Sequence, residues 1–335
     1  MKKFLVVITA FVLLCLSAPA QEFAPAPGAE DSGRSVGLSV IPRFEFNYNG
    51  DFTLGDSSLY SLFEGNISDA LSFSVCNHWL AADKESINLL YSNTGRSDDV
   101  NWLDWAYLNY ALGNFSFTLG KQSLTFGGYE FDAYDFESFS FIASTAWNSL
   151  QVYHWGLKAD WTNSAENTTL SLQMTASPFG EHPFTSGLFN YAAEWRGEYG
   201  DFSNIWSVAA VQRDKGDFLP LISIGQTYSL TDEISFGLDI YNIVGDEENV
   251  VMKGLTMIPS ITFTPCDRLM LRGRMGGEIN RETKNKDLIV GVDGYWLPLK
   301  NCEDLRLIAS AGYHHDLKLV NVSFGAMYYL NFPRK

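Results

Sequence analysis

The most chemically loaded stretch of the chain runs from Phe126 to Glu137, Phe-Gly-Gly-Tyr-Glu-Phe-Asp-Ala-Tyr-Asp-Phe-Glu, where rings and acids interleave. Glu130, Asp132, Asp135 and Glu137 bring four carboxylates close together along the chain. Such carboxylates gathered at a constriction attract cations. Held around one ion they would supply oxygens to calcium, which takes roughly six to eight, but the spacing does not match an EF-hand. A third reading is an exposed acidic loop. The rings favour a segment packed on a wall, with its acids turned to water.

Other chemistries find less support. A nucleophile, a base and an orienting group must converge for acyl transfer. The five histidines, His78, His154, His182, His314 and His315, accompany no G-x-S-x-G or comparable signature. Neither a phosphate-binding glycine loop nor H-E-x-x-H occurs. The chain therefore reads as a non-enzyme with no cofactor. Cys76, Cys266 and Cys302 have no C-x-x-C spacing, so no zinc site or disulfide framework follows. Cys266 and Cys302 both fall in predicted turns at one end, where geometry decides whether they are bridged.

Residues 1–20 read as a cleaved secretory signal. Lys2 and Lys3 form its basic start, Phe4 to Leu16 its apolar core, and Ala18-Pro19-Ala20 its cleavage site. Removing the two lysines from the 23 basic residues leaves 21 against 39 acids, a net charge near -18. That charge repels phosphate backbones, so nucleic acid is excluded as a partner. Residues 21–34, with Pro25, Pro27, Gly28 and Gly33, read as a flexible lead.

The elements that would position these groups are strands. From Val36 a period of two sets in, with Val36, Leu38, Val40, Phe44, Phe46 and Tyr48 on one parity and Ser39, Arg43, Glu45 and Asn47 on the other. It recurs at Leu170-Leu172-Met174 against Ser171-Gln173-Thr175, and at Ile234-Phe236-Leu238-Ile240 against Ser235-Gly237-Asp239. No apolar run beyond the leader is long enough for a membrane helix. Strands are expected near 36–48, 59–67, 70–80, 102–112, 114–121, 148–161, 167–176, 190–199, 203–213, 219–230, 233–242, 251–264, 268–277, 287–297, 304–313 and 319–332. Short turns alternate with longer segments, among them 81–101, 122–147, 177–189, 214–218 and 243–250.

That alternation describes a transmembrane antiparallel β-barrel of about sixteen strands. A sheet crosses lipid only if it closes on itself and leaves no edge. The expected organisation is a barrel over 35–332 and a short tail at 333–335, in a bacterial outer membrane. Turns and both termini would be periplasmic, and the long loops extracellular. The last strand carries Val322, Phe324, Ala326, Tyr328, Leu330 and Phe332 on one face, the pattern that barrel-assembly machinery reads. Trp79, Trp102, Trp147, Trp161, Trp195 and Trp296 lie near strand ends, where lipid meets water.

With apolar residues toward lipid, the opposite parity lines the lumen. It carries Arg43, Lys158, Arg196, Arg272, Arg274 and Arg306 against Glu45, Asp160, Glu194, Glu198, Asp239 and Asp293. With Ser, Gly, Asn and Gln among them, the wall reads as water-filled, its charges both bracing the barrel and screening solutes. The expected function is passive diffusion of small hydrophilic solutes or ions, weakly charge-selective, leaning toward cations if the loop after Lys121 lies inside. The alternatives are a barrel enzyme, lipase or protease, and a barrel whose outer loops bind a partner.

Asp104-Trp105-Ala106-Tyr107-Leu108-Asn109-Tyr110, then Phe117-Thr118-Leu119-Gly120-Lys121-Gln122 and Phe126-Gly127, resemble the strand, strand and third-loop pattern of porins in the phosphate-selective porin O/P superfamily. The resemblance is carried by positions 100 to 140. It implies sixteen strands, a third loop folded into the channel, and a homotrimer. It also implies a ladder of Arg and Lys that draws phosphate, with Lys121 at a matching position. The acids after Lys121 and the balanced wall depart from that ladder.

Overall fold

The computed structural model describes residues 35–48, 52–54, 57–82, 87–89, 103–132, 153–180, 185–243, 254–280, 286–300, 302–315 and 318–332. Sixteen long strands account for most of them. They are β1 Ser35–Tyr48, β2 Ser58–Asn66, β3 Leu71–Ala82, β4 Leu103–Leu112, β5 Phe115–Ser123, β6 Tyr153–Thr162, β7 Thr168–Ala176 and β8 Phe189–Tyr199. There follow β9 Phe202–Asp214, β10 Asp217–Ser229, β11 Ile234–Ile243, β12 Gly254–Cys266, β13 Leu269–Asn280, β14 Lys286–Trp296, β15 Leu305–His314 and β16 Leu319–Tyr328, which resumes as Leu330–Phe332. Two short pieces, Phe52–Thr53 and Ile87–Leu89, extend the pairing of β1 and β3 into the loops.

Each strand pairs antiparallel with its neighbours in sequence, and β1 also pairs with β16, through Arg43–Met327 and Val40–Leu330. The sheet is therefore a closed cylinder. Closure follows from the alternation: Phe44, Leu119 and Leu172 are 61%, 61% and 67% exposed on the outer surface, while Arg43, Thr118 and Gln173 on the opposite parity are 3%, 4% and 4% exposed. Aromatic pairs reinforce the outer face, as at Trp195 and Trp206, whose ring centroids are 5.1 Å apart on paired positions.

Two details depart from the sequence expectation. The segment 214–218 is not a longer connection but a tight hairpin, in which Asp214 pairs with Asp217 around Lys215 and Gly216. Gly216 takes φ +80, a conformation glycine reaches without a Cβ clash, so the strands run right up to the turn. The final strand is interrupted at Tyr329, although its register with β1 is the same on both sides of the gap. Pro42 lies opposite this interruption and has no N–H to give to the ladder. The bridging of Cys266 and Cys302, which the sequence leaves open, is settled by geometry: both are free thiols.

The interior is also less uniformly polar than the wall composition implies. One apolar cluster spans Ile41, Tyr60, Cys76, Trp105, Ile308 and Met327. The other gathers Ala192, Ala209, Val211, Leu219, Leu221, Tyr241 and Ile258 with Leu124 and Phe126. The second cluster is where the loop after β5 rests.

Replacing Leu172 by Arg puts a charge on the lipid-facing surface, at an expected cost of roughly 2–4 kcal/mol if the site is at mid-membrane depth. Urea titration of the barrel folded into lipid vesicles should show that loss. Unchanged stability would mean that this face does not meet hydrocarbon.

Candidate functional site

The third loop leaves β5 at Ser123 and lies against the inside of the barrel as far as it is described, to Asp132. Its path is set by successive bonds to the wall. The Gln173 side chain on β7 accepts from the Thr125 N–H at 2.7 Å and donates to the Ser123 carbonyl at 2.7 Å. The Gly127 N–H donates to the Ser207 hydroxyl on β9 at 3.1 Å, and the Gly128 N–H to the Tyr241 hydroxyl on β11 at 3.3 Å. The next two N–H groups, of Tyr129 and Glu130, reach the two oxygens of the Asp239 carboxylate, each at 3.0 Å. Thr227 on β10 donates to the Tyr129 hydroxyl at 3.4 Å. Farther along, Arg196 on β8 donates to Asp132 at 2.6 Å.

Four consecutive backbone donors, from Gly127 to Glu130, thus all turn outward to the wall. The short 3-10 turn Tyr129–Phe131 begins where the Asp239 carboxylate receives the last two of them, and an anion there also complements the partial positive charge of the donors. Close approach is made by missing side chains. A Cβ on Gly128 would fall 2.2 Å from Asp239 Oδ1 and 3.0 Å from the Gly225 Cα, and a Cβ on Gly225 would fall 2.7 Å from the Gly128 Cα. Phe126, 2% exposed, supplies the apolar side of the seat, with its ring 6.3 Å from that of Tyr241.

Of the site residues expected from sequence, Lys158, Glu194, Arg196 and Asp132 meet around one small cavity of about 80 Å³ between the loop and the wall, bounded also by Thr125 and Gly128. Here Lys158 pairs with Asp160 at 3.1 Å, and Arg196 also approaches Glu194 at 3.6 Å. On the wall formed by β13, β14, β15, β16 and β1, Arg272 pairs with Asp293 at 2.9 Å. Arg43 is ion-paired with Glu45, both buried. Arg306 stands over the rings of Tyr295 and Tyr329, 5.6 and 5.0 Å from their centroids. Arg43 and Arg306 flank Met327 in register on adjacent strands.

Four residues are placed otherwise than a simple lumen lining implies. Glu130, read as facing water, is only 6% exposed, because the loop that carries it is turned to the wall by its own N–H groups. Lys121 is 8% exposed, pairs in register with Ala106 and Trp155, and donates to the Leu103 carbonyl. Gly120 before it has φ +138, where the strand departs from regular geometry. Arg274 is 8% exposed, and Glu198 is exposed close to the turn that follows β8. Asp135 and Glu137 lie outside the described residues.

The sequence reading did not single out Gln173, Ser207, Gly225, Thr227 and Tyr241 as loop partners. Their inward parity was legible. That they share one patch depends on β7, β9, β10 and β11 being neighbours at matching heights. Another interior contact, His78 with Asp104 at 2.6 Å, forms beside a bulge that leaves Asp104 as the extra residue opposite Cys76 and Asn77.

Comparison with solved structures finds this architecture in bacterial barrels. The chain aligns with the outer membrane channel DcaP of Acinetobacter baumannii with a TM-score of 0.60 at 15% identity, over 93% of this chain and 100% of that one. A mutant porin of Rh. blastica gives 0.63 at 12% identity, over 88% and 100%. A loop-deletion mutant of OmpT, an outer membrane protein of Vibrio cholerae, gives 0.57 at 14%, over 89% and 100%. Identities this low speak for the fold. Among curated proteins, the outer membrane usher protein PmfC of Proteus mirabilis is 25% identical over 162 residues, 43% of this chain, and the match spans 19% of the usher's length. No family model matches the chain.

Replacing Gln173 by Ala would leave the Thr125 N–H and the Ser123 carbonyl without their partner, at about 1–3 kcal/mol for a buried group left unsatisfied. Hydrogen exchange at the Thr125 amide should accelerate by roughly tenfold to a hundredfold. Unchanged exchange would show that this bond does not hold the loop base.

Proposed function

We propose that this protein is a passive outer-membrane diffusion channel for small hydrophilic solutes or ions. One observation carries the reading: a closed cylinder with an apolar outside has charged and polar groups inside, together with a loop bonded to its inner wall. Lipid accepts the outside of such a body, and water fills what the side chains and loop leave within. The fold likeness to outer-membrane channels and porins supports the same reading.

On this reading residues 1–20 are a secretory signal, 21–34 a periplasmic lead, 35–332 the barrel and 333–335 a tail. The short turns and both termini face the periplasm. The third loop and the wall charges Arg43, Glu45, Lys158, Asp160, Glu194, Arg196, Glu198, Arg272, Arg274, Asp293 and Arg306 set a weak selectivity. Ion pairing within the wall supports weakness, since Arg43–Glu45, Lys158–Asp160 and Arg272–Asp293 each cancel much of their own field. Kinship with the phosphate-selective porin O/P superfamily and a trimeric state remain part of the proposal, carried by the pattern between positions 100 and 140.

Purified protein in planar bilayers should give stable ohmic conductance, with a reversal potential in a salt gradient that leans modestly toward cations. Neutralising Glu130, Asp132, Asp135 and Glu137 together should move that potential toward anions. No conductance from folded barrels would sink the channel reading, and strong anion preference in the wild type would sink the assigned selectivity.

A further inference from the structure

We infer that Asp239 is the positioning residue of the third loop, and that through the loop it sets the bore of the channel, its charge being spent on the loop's backbone rather than on passing solutes. The inference rests on the channel reading above and deepens it. Asp239 lies on the inner parity of β11 with 5% exposure, and both its carboxylate oxygens are taken by consecutive loop N–H groups at 3.0 Å. A charge so enclosed, with the loop donors, the Gly225–Gly128 contact and the guanidinium of Arg274 around it, has little exposure to a solute in the open lumen.

Geometry also says what the carboxylate accomplishes. A loop carrying consecutive unpaired N–H groups inside a barrel would seek acceptors wherever it found them, because buried donors left unmade are costly. Asp239 offers two acceptors at one point and fixes the loop's height on the wall. Tyr241 and Ser207 accept from the two preceding N–H groups, and the absent side chains of Gly128 and Gly225 let the backbone lie flat. From Thr125 to Glu130 loop backbone N–H groups bond to side chains of β7, β9 and β11, with Thr227 on β10 and Arg196 on β8 bonded to its side chains. This part of the loop is thus laid along the β7–β11 wall, with Arg274 of β13 close enough to act on Glu130 and Asp239. Released from Asp239, it would keep its bonds to Gln173, Ser207, Tyr241 and Arg196 but would leave the wall for the lumen more often.

Single-channel recording in 1 M KCl tests this, because wall charges are then screened over about 3 Å. With Asp239→Asn and Asp239→Ala, the closed-to-open ratio should rise about tenfold to a hundredfold, the loss expected for hydrogen bonds to a charged group. Gly225→Ala should produce the same flicker with no change of charge, since its methyl would meet Asp239 and Gly128. If Asp239→Ala does not fold, Tyr241→Phe removes only the hydroxyl that accepts from Gly128 and should give a smaller rise. Unaltered gating in these variants, with a reversal potential shifted toward anions at low salt in Asp239→Asn, would make Asp239 a selectivity charge and overturn the proposal. A wild-type barrel that conducts nothing would instead remove the channel reading beneath it.

Discussion

Everything in this molecule depends on the pairing of backbone N–H and C=O groups between neighbouring strands without a free edge. In hydrocarbon an unpaired peptide group has no water to turn to, so a sheet that enters lipid must close. Here closure is made by β1, which pairs with β2 on one side and β16 on the other. The interruption at Tyr329 marks how strict the pairing is, since it falls where Pro42 cannot donate and the register resumes unchanged beyond it. The side chains then have no choice but to alternate between outside and inside.

The inside is filled unevenly, and the third loop explains why. Its backbone, like any buried backbone, must find partners, and among its described residues no strand pairs with it. Side chains of the wall take that role: Gln173, Ser207, Tyr241 and Asp239 each receive a loop N–H. The apolar residues Val211, Leu219, Leu221 and Tyr241 on the inward parity serve the same loop by receiving Leu124 and Phe126. Apolar side chains inside the barrel therefore form a seat for protein as well as part of the lumen wall.

The charges obey a related economy. Most sit beside an opposite charge on the same or a neighbouring strand, as Arg272 beside Asp293 and Lys158 beside Asp160. The Arg272–Asp293 pair is cross-strand and braces β13 against β14, the Lys158–Asp160 pair lies within β6, and both leave a smaller net field than isolated charges would. Around the loop, Arg196 joins Asp132 to the wall while remaining near Glu194, so the same guanidinium both anchors the segment and offsets two acids. Selectivity in a channel of this design would arise from small residual imbalances.

The sequence alone determined that the chain is a closed antiparallel barrel, because the period of two and the rhythm of turns are local properties that each strand displays by itself. It also determined which parity faces inward, and so put Arg43, Glu45, Asp239 and Asp293 on the inner surface. At 214–218 even local chemistry was misjudged, since Lys215 and Gly216 make a two-residue turn. Only the tertiary structure decided what those inward residues meet. Asp239 stands more than a hundred residues from Tyr129 and Glu130 along the chain, and nothing in either segment specifies the other. Their meeting depends on the curvature of the closed sheet and on the height at which the loop re-enters it, which are properties of the whole cylinder and not of any one strand.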